Sequence, residues 1–88
     1  MTNNDVARQL QQHARQLAEK YGNLYRIRAY RRAAFVILGL DRPVADLRKS
    51  ELDALPEIGE HLAATITHFA RTGEWKTYEE LTSADLAV

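Results

Sequence analysis

No cysteine occurs among the 88 residues of the sequence. Its absence excludes disulfide bonds, thiolate metal sites and a cysteine nucleophile, and it is compatible with a reducing compartment. Long apolar runs are missing as well, because no stretch approaches the roughly 18 residues that a membrane-spanning helix needs. Residues 1–5 are largely polar, so we expect neither a signal peptide nor a membrane anchor.

Net charge is also missing, because 12 basic side chains balance 12 acidic ones. A neutral chain, taken by itself, argues against binding to a polyanion. The charges are unevenly distributed, however, with a net charge of +5 in residues 1–40 and of −5 in residues 41–88. This asymmetry predicts an electrically polar molecule whose anion-binding surface lies in the N-terminal half.

No segment alternates apolar and polar residues for long enough to predict a strand. Apolar residues recur instead at helical spacing, and a chain of this length forms one domain. The pattern predicts an all-α fold, a compact bundle of four to five short helices in a single domain over residues 1–88. The predicted helices span about residues 4–21, 27–40, 50–55, 60–71 and 77–82. We expect N-caps among residues 3–5 and at Ser50, and a left-handed stop at Gly22 and Asn23.

The segment Leu-Pro-Glu-Ile-Gly at residues 55–59 is followed by apolar residues at helical spacing. It predicts two helices that meet across a tight turn, with Ile58 filling the angle and Gly59 letting a ligand approach the backbone. The unpaired amides that begin the second helix lie at its positive dipole end, where a phosphate oxygen binds well. Contacts of this kind bind the nucleic-acid backbone and ignore base identity.

Upstream of this turn lies an arginine cluster within residues 26–32, and no acidic residue occurs between Lys20 and Asp41. The cluster consists of Arg26, Arg28, Arg31 and Arg32. A helical wheel places the last three within one arc of about 100°, roughly opposite the apolar residues. Guanidinium groups bind phosphate in bidentate geometry, so we favour an anion-binding surface. The alternative is a solvated face whose arginines pair with the acidic half of the same chain.

Three aromatic residues accompany the arginines. Tyr25 either packs or stacks on an exposed base, whereas the wheel directs Tyr30 into the core. Phe35 falls on the arginine arc, where three alternatives remain open. It can stack on a base, insert into a partner protein, or be covered by the C-terminal segment with Trp75 or Leu86.

Residues 23–34, the hairpin at residues 55–59, Thr72-Gly73 and residues 78–81 together resemble the N-terminal eight-kilodalton-type domain of family X DNA polymerases. The resemblance covers roughly residues 4–82. It implies a helix-hairpin-helix domain that holds gapped DNA and grips its 5′-phosphate, with no cofactor beyond a monovalent cation that the hairpin can hold. Some family members also remove a deoxyribose phosphate through a Schiff-base lysine. The expected DNA-binding residues are Tyr25, Arg26, Arg28, Arg31, Arg32, Ile58, Gly59 and His61.

Two departures limit what the resemblance implies. The first glycine of the family hairpin is Glu57 here, and its carboxylate, with that of Glu60, either repels phosphate or stabilises the following helix N-terminus. The family's lyase lysine aligns with Thr65, and a phosphate-binding lysine aligns with His61. Because Thr65 cannot form a Schiff base, we expect no enzymatic activity.

His61, Thr65 and His68 share one stripe of the second hairpin helix. Two histidines seven residues apart lie about 10.5 Å apart along the axis, too far for one metal ion, so we interpret the three as solvated polar residues. The leading hypothesis is a non-catalytic, sequence-independent DNA-binding module in the cytoplasm, or at the nucleoid of a bacterium. The alternative is a protein-interaction or self-association module built on the same fold.

Overall fold

The computed structural model describes residues 1–20 and 22–86, with side chains up to residue 83. Five α-helices and one 3₁₀ turn make up this part of the chain, and it contains no strand. The helices are α1 (Asn3–Glu19), α2 (Leu24–Leu38), α3 (Lys49–Asp53), α4 (Glu60–Thr72) and α5 (Tyr78–Leu86), with the 3₁₀ turn at Val44–Asp46. The predicted all-α architecture is therefore confirmed. No described helix is long and apolar enough to cross a membrane.

The N-cap of α1 is Thr2, one residue before the predicted caps. The Thr2 hydroxyl accepts a hydrogen bond from the Asp5 amide at 3.1 Å, and the Asp5 carboxylate accepts one from the Thr2 amide at 2.9 Å. This reciprocal pair satisfies two amides that the first turn leaves open. The side chain of Asn3 ties the same helix end to the 3₁₀ turn, since it donates to the Arg42 carbonyl at 2.8 Å and accepts from the Val44 amide at 2.7 Å.

The connection between α1 and α2 differs from its prediction. Neither Gly22 nor Asn23 has a positive φ, so the left-handed stop is wrong. A Cβ on Gly22 would lie 2.7 Å from the Leu17 carbonyl oxygen, so glycine is required here by close approach. Asn23 instead caps α2, because its side-chain oxygen accepts hydrogen bonds from the amides of Tyr25 and Arg26 at 2.8 and 3.3 Å. The cap starts α2 at Leu24 and not near residue 27.

The core lies between α1, α2, α3 and α4. The side chains that have no exposed surface are Val6, Leu10, Ala14, Ala33, Ala34, Ile37, Leu52, Ala63 and Ile66. They recur at steps of three and four along their helices, and burial of each large member contributes about 1.5–3 kcal/mol. Burial of these stripes holds the arginine-rich α2 against α1 and positions the hairpin beside it.

Local hydrogen bonds set the start of α3 and the end of α4, and the predicted cap at Ser50 is wrong. Ser50 lies inside α3, and the cap is supplied by Glu51, whose carboxylate accepts a hydrogen bond from the Arg48 amide at 3.0 Å. Helix α4 stops at Gly73, which has a φ of 75° and donates its amide to the Phe69 carbonyl at 2.8 Å. The helix therefore ends close to residue 71, the predicted end, at a left-handed position that is usually glycine.

An aromatic cluster joins the segment between α4 and α5 to α1. The Trp75 indole N–H donates to Nδ1 of His13 at 3.2 Å, and its ring packs edge-on against Phe69. The His13 imidazole also meets Tyr30 edge-on, with ring centroids 4.6 Å apart. Burial lowers the pKa of His13, because the neutral ring is favoured where water is excluded. The cluster places the start of α5 beside α2 and the hairpin.

Candidate nucleic-acid interface

The hairpin turn is built around Ile58 and Gly59. Ile58 is only 3% exposed and belongs to the core, so its predicted place in the angle between the helices is confirmed. A ligand can therefore contact Ile58 through its backbone alone. Gly59 precedes α4 in extended conformation, and a Cβ at this position would meet nothing within 4 Å. No side chain caps the first amides of α4, so they are open at the positive end of the helix dipole.

Glu57 adopts a left-handed backbone conformation, with a φ of 69°, the one positive φ among the described residues other than glycine. Such a conformation costs an L-residue roughly 1–2 kcal/mol, which is why a glycine fits this position of the turn. The Glu57 carboxylate lies 3.6 Å from the Arg32 guanidinium, and both side chains are about half exposed. Glu57 thus brings both backbone strain and negative charge to the hairpin.

A groove of about 590 Å³ lies between the start of α2, the hairpin and the start of α5. Its lining comprises Asn23, Tyr25, Arg26, Ala29, Tyr30, Glu57, Gly59, Glu60, His61, Leu62, Tyr78 and Glu79. Four of the predicted site residues therefore meet here, namely Tyr25, Arg26, Gly59 and His61. The groove holds three carboxylates and a single guanidinium, so it is not a cationic cavity.

The groove side chains differ in how far they are free to meet a ligand. Arg26 is paired with the Glu79 carboxylate at the start of α5. His61 is exposed, but its ring stacks on Tyr78 with centroids 3.9 Å apart and planes at 9°. Tyr25 is 79% exposed, whereas Tyr30 is 9% exposed in the core, as the helical wheel predicts. Tyr25 is therefore the groove aromatic whose ring is open to a base.

The remaining arginines lie on the outer, exposed face of α2, opposite its buried stripe. Within residues 1–20 and 22–83, neither Arg28 nor Arg31 forms an ion pair with a carboxylate, whereas Arg32 is paired with Glu57. The structure thus combines the two alternatives left open by the sequence. Two of the four arginines pair with the chain's own acids, and two are available to an external anion.

One stripe of α4 is buried more deeply than expected. Thr65 is 1% exposed and lies in the core, so the interpretation as a solvated polar residue is wrong for it. The cause is the packing of α4 against the other helices, which extends the buried face beyond the apolar residues. His68 is half-buried, with Nε2 3.6 Å from the Glu74 carboxylate. The described residues contain no group of three or more side chains placed to hold a metal ion.

Residues 1–75 match the helix-hairpin-helix domain in a comparison with protein families. The chain belongs to this family. The match includes the arginine-rich α2 and both hairpin helices, and domains of this kind generally bind DNA without sequence specificity. A search of curated proteins finds no match to the chain.

Sequence reasoning did not anticipate the ion pair between Arg26 and Glu79 or the contact between Trp75 and His13. The carboxylate of Glu79 comes from a helix 53 residues beyond Arg26, and Trp75 from a segment 62 residues beyond His13. The one available signal was the acidic pair Glu79-Glu80 at the start of α5, where carboxylates commonly stabilise a helix N-terminus.

Proposed function

We propose that this helix-hairpin-helix domain is a non-catalytic module that binds the DNA phosphate backbone without sequence specificity. The observation that carries the proposal is the start of α4, where uncapped amides lie beside Gly59 and nothing occupies the adjoining space. One phosphate oxygen can approach these amides directly.

The outer face of α2 supplies the cationic part of the proposed surface. Arg28 and Arg31 have no carboxylate partner among the described residues. The ion pair between Arg32 and Glu57 is exposed, and such pairs contribute at most about 1 kcal/mol, so a phosphate can displace it. Each phosphate neutralised on duplex DNA releases about 0.9 counterions, so binding weakens as salt rises.

A preference for gapped or 5′-phosphorylated DNA is the finer part of the proposal. It is supported by the resemblance to family X polymerases and by the groove, where exposed Tyr25 adjoins Arg26 and His61. An incoming 5′-phosphate would have to replace Glu79 as the partner of Arg26. Because the 5′-phosphate must displace Glu79, we infer that it contributes less to the affinity than the contacts with the duplex backbone do.

Fluorescence anisotropy tests both parts. Labelled single-stranded, duplex and one-nucleotide-gapped DNA, with and without the 5′-phosphate, are compared at about 50 and 200 mM salt. The double substitution Arg28→Glu and Arg32→Glu should abolish binding. The matched control is the charge reversal Lys49→Glu with Arg71→Glu, at two residues that line neither the groove nor the α1–α2 cleft described below. This control should retain most of the DNA binding. Undetectable or salt-insensitive binding of the wild-type protein would refute the proposal.

The absence of lyase activity belongs to the same proposal. Thr65 occupies the position of the family nucleophile and is buried, and the groove lining contains no lysine. A Schiff base needs a lysine amine within reach of the aldehyde. Borohydride treatment of a mixture with abasic DNA should therefore trap no covalent adduct, and an adduct would contradict this part.

Self-association is a second candidate, favoured by the opposite net charges of the two halves of the chain. Two copies could dock head to tail through the cationic face of one and the acidic groove of the other. Sedimentation equilibrium without DNA would then show concentration-dependent dimers that dissociate in salt. A monomer at every concentration would exclude this candidate.

A further inference from the structure

A second concave surface lies between α1 and α2 and shares no lining residue with the groove. This α1–α2 cleft has a volume of about 280 Å³ and is lined by Gln11, Arg15, Arg31 and Phe35. Its lining contains two guanidinium groups and no carboxylate. Phe35 is 72% exposed, so Trp75 does not cover it, and Trp75 packs instead against His13, Tyr30 and Phe69. The side chain of Leu86, the other residue expected to cover Phe35, lies outside the described residues.

The apolar side of this cleft continues along α2. Leu24, Phe35 and Leu38 are exposed, and with Arg28 and Arg31 they follow steps of four and three residues along one face. An exposed aromatic ring that lines a cleft together with two guanidinium groups is a candidate binding surface. The occupant must bring negative charge together with an apolar or aromatic face.

A second copy of the chain does not meet this requirement. All exposed large apolar side chains of the described residues lie within residues 1–38, in the cationic half. Among the described residues, the acidic half of a second copy would bring carboxylates but no fully exposed large apolar side chain to cover Phe35. The cationic half would bring apolar side chains but like charge.

A single DNA strand meets both requirements. Its phosphates carry the negative charge, and its unpaired bases present flat aromatic faces at regular intervals. The cleft is also continuous with the proposed duplex surface, since Arg31 lies one helical turn beyond Arg28 on the same helix. A cationic cleft that also presents an exposed aromatic ring is the arrangement by which proteins bind single strands without sequence preference.

We propose that the α1–α2 cleft is a single-strand DNA site, in which Phe35 stacks on an unpaired base while Arg15 and Arg31 bind the flanking phosphates. The inference rests on the proposed function, since it assigns a second DNA surface to the same module. It would let the protein hold the single strand of a gap while the hairpin holds the neighbouring duplex backbone.

Substitutions of Phe35 separate ring stacking from simple apolar contact. Phe35→Leu keeps an apolar side chain without an aromatic face, and Phe35→Trp keeps and enlarges that face. Binding is measured by anisotropy on an oligothymidine strand of about 12 nucleotides, within the range of known single-strand sites. The same proteins are measured on a strand of equal length whose bases are replaced by tetrahydrofuran.

On oligothymidine, Phe35→Leu should weaken binding by about 5- to 150-fold, the range expected for one stacked base, and Phe35→Trp should match the wild type or exceed it. On the base-free strand, the leucine variant should bind as the wild type does. Equal binding of oligothymidine by the leucine variant and the wild type would overturn the proposal, as would an equal loss on both strands. The side chain is exposed, so all three proteins should fold, and circular dichroism verifies this.

The two arginines are tested through salt dependence. Arg15→Gln with Arg31→Gln should lower the slope of log affinity against log salt on oligothymidine by about 1.4, at about 0.7 per phosphate contact. Arg71→Gln, which removes a charge outside the cleft, should leave the slope unchanged. An unchanged slope in the double variant would refute the assignment of the phosphates.

Failure of this inference can be told apart from failure of the proposed function. If duplex DNA binds and depends on Arg28 and Arg32, but oligothymidine binding ignores Phe35, only the cleft assignment is wrong. If the wild-type protein binds neither duplex nor oligothymidine, both are refuted.

Discussion

Replacing Glu57 with glycine should affect stability and DNA binding in the same direction. The residue has a φ of 69°, and relief of a left-handed L-residue is worth roughly 1–2 kcal/mol. Two losses oppose this gain. The extra freedom of glycine in the unfolded chain costs about 0.5–1 kcal/mol, and the exposed ion pair with Arg32 contributes a few tenths of a kcal/mol.

The net result should be a stabilisation of about 0.5 kcal/mol, which corresponds to about 2–4 °C in Tm for a domain of this size. Thermal unfolding followed by circular dichroism measures it. Duplex affinity should increase as well, because the substitution removes a carboxylate beside the α4 amides and frees Arg32. A gain of about 1 kcal/mol is fivefold in Kd, and one additional phosphate contact steepens the salt slope by about 0.9.

Glu57→Gln is the matched control, because it removes the charge but keeps a side chain in the left-handed position. It should bind DNA about as well as the glycine variant and show no gain in Tm. If both variants melt at the same temperature, the strain argument is wrong. If neither binds duplex DNA more tightly than the wild type, the hairpin does not contact phosphate.

Three further predictions concern other parts of the molecule. Gly59→Ala should fold, because its Cβ meets nothing within 4 Å. Duplex affinity measured by anisotropy should nevertheless fall about tenfold, since the methyl group blocks a backbone–phosphate contact worth about 1–2 kcal/mol. Unchanged affinity would argue against that contact. Burial lowers the pKa of His13 in the folded protein, so the unfolded chain protonates this imidazole more readily. The free energy of unfolding should therefore be largest above pH 6.5 and should decrease as pH falls below that value. Tm should therefore decrease from pH 7.5 to 5.5 in the wild type, through loss of the Trp75 hydrogen bond, and decrease less in His13→Gln; parallel curves would contradict this. Glu79→Gln removes the carboxylate partner of Arg26. The ratio of the affinity for 5′-phosphorylated gapped DNA to that for the unphosphorylated form should therefore rise about fivefold, and an unchanged ratio would show that Arg26 does not contact the phosphate.

Local sequence predicted the helices well but their starts less well. The apolar stripes of α1, α2 and α4 follow the helical period, because one face of each helix must be buried. The predicted start of α2 is too late, because Asn23 is an N-cap and not part of a left-handed stop. A polar residue between two helices can either end the first helix or cap the second. Which of the two it does depends on the path of the chain through the connection.

Four of the eight expected DNA-binding residues line the groove, and the groove is acidic rather than cationic. Tyr25, Arg26, Gly59 and His61 do meet in one groove, because the hairpin and α2 are placed together by the core. Which guanidiniums are free could not be read from the sequence, since Arg26 and Arg32 are paired with acids far along the chain. The two arginines without a described partner point to the outer face of α2 rather than to the groove.

The amino-acid sequence by itself determined the all-α architecture, the hairpin and the cationic face of α2, because helical periodicity and turn chemistry act over a few residues. Only the tertiary structure decided that Glu79 forms an ion pair with Arg26, that Thr65 is buried and that Phe35 stays exposed in the cleft that Arg15 also lines. Charge neutralisation and burial depend on which distant segments pack together. That is decided by the whole core and not by any one segment.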